Sequence, residues 1–208
     1  MDKEVLFVNK LPYSFYQDAD VNALAQRLLG KVLYTQIDGV VTAGVIVETE
    51  AYKGAEDKAS HAYGGRLTNR TQVMFEAGGL SYVYLCYGIH HLFNVVTAPK
   101  GVPHAVLIRG IEPLVGLDVM LERRRMPVLK PNLTAGPGAL ASAMGIDKSL
   151  NQKDLQGEEI WIADEGIAIA SSSVVACPRV GVAYAQDHAL LPWRYYIRGN
   201  RFVSKPNS

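Results

Sequence analysis

The sequence predicts an α+β fold with a largely antiparallel sheet. Three observations carry this. Strand-like segments cluster without regular strand–helix–strand alternation. Two of the junctions between them, at Asp38-Gly39 and Tyr87-Gly88, read as tight hairpin turns. The chain has 208 residues and 49% of them are hydrophobic, which suits one domain with a real core.

Each element has a local reason. Asp18 to Leu29 carries apolar residues at helical spacing, an Asp cap and Gly30 as a stop. Lys31 to Gln36 and Val40 to Glu50 read as strands joined at Asp38-Gly39. Ala51 to Gly79 is polar and glycine-rich, so it reads as a long loop with a short helix near Ala55 to His61. Long loops inside a compact domain are usually functional. Leu80 to Tyr87 and His91 to Ala98 form a second hairpin, and Ala105 to Ile111 a further strand. Pro113 to Arg125 is expected to be a helix, and Gly136-Pro137-Gly138 opens another that runs to Met144. Short strands follow at Ile160 to Ala163, Val174 to Ala176, Val180 to Ala185 and Trp193 to Arg198.

Composition excludes more than it assigns. Net charge is +1, so nucleic-acid binding cannot be read from the whole-molecule field and needs local Arg and Lys clusters. Cys86 and Cys177 give no metal spacing and no disulfide framework, and are expected to be reduced, buried thiols of an intracellular protein. The N-terminal MDKEVLFVNKLPYSFY lacks the apolar stretch of a signal peptide, and no run of 18 apolar residues suggests a membrane span.

The chemistry concentrates between Val47 and Asn94. Glu48 and Glu50 are two apart on a strand, so they share a face, with Cα atoms roughly 6 to 7 Å apart, while Thr49 points away. Neighbouring carboxylates can divide acid and base work. The other reading is a solvated strand end. The apolar run Gly44 to Val47 before them suggests a buried strand emerging into a cleft. His61 sits in a polar loop beside Gly64 and Gly65, where a lone histidine is more often a surface residue than a catalyst. Arg66, Thr68, Asn69 and Arg70 offer anion donors on the same loop, or a solvated loop. His90 and His91 lack metal-ligand spacing to the acids. Tyr82 and Tyr84 share a strand face, and Tyr87 stands at the hairpin tip, where an aromatic can stack on bases or wedge between them.

The order of motifs adds a resemblance. VETEAY, GAEDKASHAYGGRLTNR, MF, YVYLCYGIHHLFN and VLIRGIEP are followed by GPGALASAMGIDKSLNQKDL, PRVGVAYA and WRYYIRG. This series, from about Leu28 to Ser204, resembles the alkyladenine (3-methyladenine) DNA glycosylase family. The resemblance implies a single mixed domain over residues 1–208 with a curved antiparallel sheet, surrounding helices and a protruding β-hairpin. It implies a monofunctional enzyme that flips alkylated or deaminated purines, such as 3-methyladenine and hypoxanthine, out of duplex DNA and hydrolyses their N-glycosidic bond. Carried over by position, Glu50 is the catalytic acid of ETEAY and Arg109 lies near the catalytic water. Tyr52, His61 and Tyr84 wall the base pocket, and Asn94 at its floor opposes the guanine amino group. Tyr87 is the intercalating wedge.

No metal and no organic cofactor is implied. The implied partner is duplex DNA containing damaged purines, with no membrane, and the protein is expected to be a monomer. Its expected setting is the cytoplasm or nucleoid of a bacterium, or a eukaryotic nucleus.

The chain departs from the family pattern at Ala139, where a lysine is frequent, over the longer Ala98 to His104 segment, and at Asn200-Arg201. Two rival readings stand beside this one. A glycosylase with lyase activity would use an amine, and Lys53 is the nearest, but acids around it would raise its pKa rather than depress it. A non-catalytic nucleic-acid-binding domain would keep the tyrosines and leave Glu50 as a strand-end charge.

Overall fold

The computed structural model describes residues 9–205. The first eight residues of the N-terminal stretch read for targeting therefore lie outside the described residues. The elements run α1 (Tyr13–Tyr16), α2 (Val21–Arg27), β1 (Val32–Ile37), β2 (Val40–Tyr52), β3 (Ser81–Cys86), β4 (His90–Thr97), β5 (His104–Val115), α3 (Leu117–Arg123), α4 (Pro137–Met144), β6 (Ile160–Ala163), β7 (Val174–Cys177) and β8 (Arg194–Ile197). The strands form one antiparallel sheet in the order β3-β4-β5-β2-β1-β6, and β8 joins β2 and carries β7. The α+β expectation holds. Among the described residues no helix is long and apolar enough to cross a membrane.

Strand β2 organises the sheet because it is 13 residues long and pairs with three partners. Its first half pairs with β1 across the Asp38-Gly39 turn, where φ is 52° and 78°. Positive φ at both central residues is the twist-matched hairpin geometry that Asp-Gly supplies. Its second half, Glu48 to Glu50, pairs with β8.

Alternation along the strands separates two faces. Val83, Phe93, Val95, Val106 and Ile108 join the main core, packed with Leu24 and Leu28 of the α2 region and with Leu140 and Met144 of α4. Their neighbours Tyr82, Val96 and Ala105 join a second cluster beneath Val73 and Met74 of the long 51–79 segment. Past the register shift after Ile46, the side chains of Glu48, Glu50 and Tyr52 in β2 turn away from the main core, whereas Thr49 points back and donates to the Ala25 carbonyl at 2.9 Å. Each fully buried Leu, Ile or Phe in the main core contributes roughly 1.5–3 kcal/mol of transfer free energy.

A bulge re-registers β5 against β2. Thr49 pairs with Ile108 and Glu48 with Gly110, so Arg109 is the extra residue. Ile108 and Ile111 thereby both reach the helix-side core, and Arg109 turns toward the acids. Bulges redirect side chains in this way beside functional sites. Gly110 is needed there: a Cβ would lie 2.6 Å from the Phe202 carbonyl of the C-terminal segment.

Several elements differ from the sequence reading. Pro113 lies in β5 opposite Gly44, and the following helix starts at Leu117. The sheet register overrides the helix pattern there. The expected strand at Val180 to Ala185 is instead a turn leading into 3₁₀ structure over Ala183–Leu190. In the expected helix Ala55 to His61 only a single 3₁₀ turn forms, at Gly54–Glu56. The α2 cap is Asp20, whose carboxylate accepts from the Asn22 and Ala23 amides at 3.0 Å. Cys177 is buried as expected, but Cys86 is only half-buried on the β3–β4 hairpin.

Candidate active site

Glu48 and Glu50 are both completely buried, which excludes a solvated strand end. A buried carboxylate must be paired or hydrogen-bonded, and the two acids solve this differently. Glu48 is consumed by structure. Its Oε1 lies 3.1 Å from Arg109 Nε and 2.9 Å from Arg194 Nη1, and accepts from the Ser204 hydroxyl at 3.0 Å. Its Oε2 accepts from the Ser204 amide at 2.7 Å. Glu50 accepts from the Tyr52 hydroxyl at 2.8 Å and from the Val180 amide at 2.7 Å, and Arg109 Nη1 lies 3.4 Å away. The expectation that the strand emerges at Glu48 is corrected: β2 stays buried to Ala51, and the first of its side chains to reach the cleft is Tyr52.

Above Glu50 lies an open cleft of about 740 Å³. Its walls include Tyr52, His61, Tyr84, Arg109 and Val180, and its rim carries Tyr87. They also include Lys58, Arg66 and Arg70, and no acid. A deeper recess of about 40 Å³ continues from it between Tyr52, His61, Tyr82, Tyr84 and Asn94. Charge is therefore local: a cationic cleft on a molecule whose net charge is only +1.

The recess is aromatic and pre-ordered. The His61 and Tyr84 rings meet edge to face at 4.8 Å, and the Tyr82 and Tyr84 centroids are 5.3 Å apart. His61 Nδ1 is 2.9 Å from the Tyr82 hydroxyl, and Arg70 Nη2 is 3.2 Å from His61 Nε2. Arg70 can only donate, so Nε2 accepts and Nδ1 carries the proton. Burial, with Arg70 beside it, pushes the His61 pKa down to about 4, so the ring is neutral near pH 7. Burial and the Glu50 carboxylate push the Tyr52 phenol well above 10, which keeps it a donor. Asn94 is buried and donates from Nδ2 to the Tyr82 carbonyl at 3.1 Å.

Asp57 and Arg179 brace this wall from behind. The guanidinium meets the carboxylate at 2.5 and 2.9 Å and donates to the Ala51 carbonyl at 2.9 Å. It also lies 4.8 Å from the Tyr52 ring centroid and 5.1 Å from that of Trp193. The pair ties the segment after β2 to the one after β7, and so fixes both the Tyr52 ring and the Val180 amide.

A family model described as Methylpurine-DNA glycosylase (MPG) matches residues 14–201. The chain belongs to the methylpurine-DNA glycosylase family. Its relatives include a protein of Chlamydia felis (strain Fe/C-56), 46% identical over 189 residues, covering 90% of this chain and 95% of that protein. One from Bacillus cereus (strain G9842) is 45% identical over 203 residues, covering 93% and 98%. One from Desulfitobacterium hafniense (strain Y51) is 44% identical over 206 residues, covering 95% and 99%. Each bears the name "Putative 3-methyladenine DNA glycosylase".

Within this methylpurine-DNA glycosylase fold, the residues carried over from the sequence converge. Glu50, Arg109, Tyr52, His61, Tyr84 and Asn94 line or underlie one cleft, drawn from β2, β3, β4, β5 and the long loop. Tyr87 stands at the tip of the β3–β4 hairpin, 90% exposed with φ of 50°. Sequence reasoning missed Asp57, Arg179, Arg194, Ser204, the Val180 amide and Tyr184. The PRVGVAYA and WRYYIRG segments contain most of these, yet no spacing links them to residues more than a hundred positions away. Lys53, the amine of the lyase reading, pairs with Glu56 at 2.8 Å on the surface and does not line the cleft. His90 packs instead on α4, where Gly138 makes room: a Cβ there would lie 2.8 Å from the imidazole stem.

Proposed function

We propose that this chain is a monofunctional DNA glycosylase that turns alkylated or deaminated purines out of duplex DNA and hydrolyses their N-glycosidic bond. One observation carries the reading. A fully buried carboxylate, Glu50, is held by a phenol, a backbone amide and a guanidinium directly beneath an aromatic, cation-lined cleft. A strand-end charge on a passive binding domain needs no such cradle.

The chemistry follows from the cradle. The target bond is hidden in the duplex, so the nucleotide must rotate out at a cost of a few kcal/mol. Tyr87 would fill the vacated stack. A cationic methylpurine would be held between Tyr52 on one side and His61 with Tyr84 on the other, favoured by cation–π attraction. A neutral His61 adds no repulsion there. Glu50 takes a proton from water as its oxygen bonds to the anomeric carbon, and the electrons of the broken C–N bond leave with the purine. The carboxylate charge also stabilises the oxocarbenium-like sugar. Arg109, tied to Glu48, orients Glu50 and the water.

The test is base release from duplexes that each carry one lesion: 3-methyladenine, 7-methylguanine, hypoxanthine or ethenoadenine. Release of at least one intact free base, with no borohydride-trapped adduct, is expected. A trapped adduct would establish the lyase reading, and no release from any duplex would establish the binding-only reading.

A further inference from the structure

The cations at the cleft and its walls differ in how their charge is balanced. Arg109 is paired with Glu48 and Glu50, and Lys58 with Asp187. Arg179, which lies over the Tyr52 ring, is paired with Asp57. Arg70 lines the cleft with no carboxylate partner among the described ion pairs. Exposed arginine side chains usually sample many rotamers, but this one lies against two walls of the base pocket. Its Cζ is 4.5 Å from the Tyr84 ring centroid, and its Nη2 is 3.2 Å from His61 Nε2. The turn that carries it is braced from within. The Thr68 amide donates to Thr71 Oγ1 at 2.9 Å, and the Thr71 hydroxyl donates to the Arg66 carbonyl at 2.8 Å. The charge is felt at both walls. Burial lowers the His61 pKa and the Arg70 charge adds to that; burial raises the Tyr84 phenol and the Arg70 charge opposes it.

We propose that Arg70 is a specificity-determining residue, an unbalanced cation on the pocket wall that weakens the hold on positively charged purines and so narrows the gap between charged and neutral lesions. This rests on the glycosylase reading above. Cation–π attraction to the tyrosines alone would favour a cationic base. A ring that already carries a cation is a poorer partner for a second one, and like charges repel across it. When DNA covers the cleft, water leaves and screening weakens, so the repulsion acts where the base is held. A neutral purine of the same outline escapes it. Arg179 exerts no such effect through Tyr52, because Asp57 balances its charge.

Equilibrium binding decides this, using two duplexes identical except for 3-methyladenine, which is cationic in DNA, or its neutral isostere 3-methyl-3-deazaadenine. Both lack the guanine amino group, so the filter at Asn94 does not enter. The measurements are made in a Glu50→Gln parent, which suppresses hydrolysis. Arg70→Gln removes the charge and keeps an N–H for His61 Nε2. It should raise the cationic-to-neutral affinity ratio about fivefold, the effect of one charge at roughly 4 Å in water. Arg70→Met, a second neutral variant, should raise it as well and covers the case in which the glutamine variant fails to fold. Arg70→Lys keeps the charge and should leave the ratio near that of the parent. Any general loss of phosphate affinity cancels in the ratio. A ratio that stays level or falls in the neutral variants overturns the proposal, as does an equal rise in Arg70→Lys. If the protein with Glu50 and Arg70 intact releases no 3-methyladenine from the same duplex, the glycosylase reading itself fails, and this inference falls with it.

Discussion

Glu48 and Glu50 are chemically identical and two residues apart, yet their partners divide them. Glu48 neutralises Arg109 and Arg194, while Glu50 keeps lone pairs beneath the cleft. Glu50→Gln should therefore retain lesion binding and lose most base release, measured by gel shift and single-turnover assay; near-normal turnover would move the catalytic role elsewhere. Glu48→Gln should instead lose about 3 kcal/mol of stability in denaturant melts, because it strands buried guanidinium charge. Asn94 belongs to the same scale. Its side chain is fixed against the Tyr82 carbonyl at the recess floor. Asn94→Ser should permit slow excision of mismatched guanine while hypoxanthine is still excised. Should guanine stay untouched, the filter lies elsewhere. His61 gives a pH signature. Its folded pKa is pushed from 6.5 to about 4, mainly by burial, so between those values the unfolded chain binds a proton that the folded chain refuses. Stability is full above about pH 6.5 and falls as pH drops toward 4, by at most about 3 kcal/mol. Melts at pH 5 and pH 7 should show a smaller difference in His61→Ala than in wild type.

Elements place these residues by alternation and by register shifts in the β2–β5 pair. The period of two in β2, β3 and β4 sends Glu50, Tyr84 and Asn94 to the face opposite the helices. In β5 the period alone would not serve both core and site, and the extra residue at Arg109 resolves the conflict. The β3–β4 hairpin ends in Tyr87-Gly88-Ile89, and both Tyr87 and Ile89 are largely exposed. A core role for Tyr87 is therefore excluded, and Tyr87→Ala should leave the melting temperature nearly unchanged. As a wedge worth about 1 to 3 kcal/mol of stacking, its loss should weaken lesion binding roughly tenfold or more and lower single-turnover release. Normal flipping by this variant, read from 2-aminopurine fluorescence beside the lesion, would end the wedge idea.

At the scale of the whole molecule, +1 of net charge hides an uneven surface. Cations line the cleft without an acid among them, but Lys58 is paired with Asp187, and Arg109 with both glutamates. Arg66 and Arg70 have no carboxylate partner among the described ion pairs. Duplex binding should thus show a log–log salt slope corresponding to about two to four phosphates, at about −0.9 each. Arg66→Ala should reduce it by about one. Binding that ignores salt would count against a DNA substrate.

The sequence by itself determined the local and the ordered. Turn chemistry at Asp38-Gly39 and Tyr87-Gly88, the capped α2 and the two-residue spacing of the acids depend on neighbours in the chain, and each is present in the fold. Family membership was also legible, because it rests on motif order. Tertiary structure alone decided which glutamate is free. That choice depends on Arg194, Ser204 and the Val180 amide, which lie 130 to 156 positions away. It also decided that Pro113 joins a strand and that residues 183–190 curl over the pocket as a 3₁₀ segment, since sheet pairing and side-chain latches outweigh local preference. Burial has the same origin: the partners that a carboxylate keeps are set by what folds over it, and that partner set is a property of the assembled sheet, not of ETEAY.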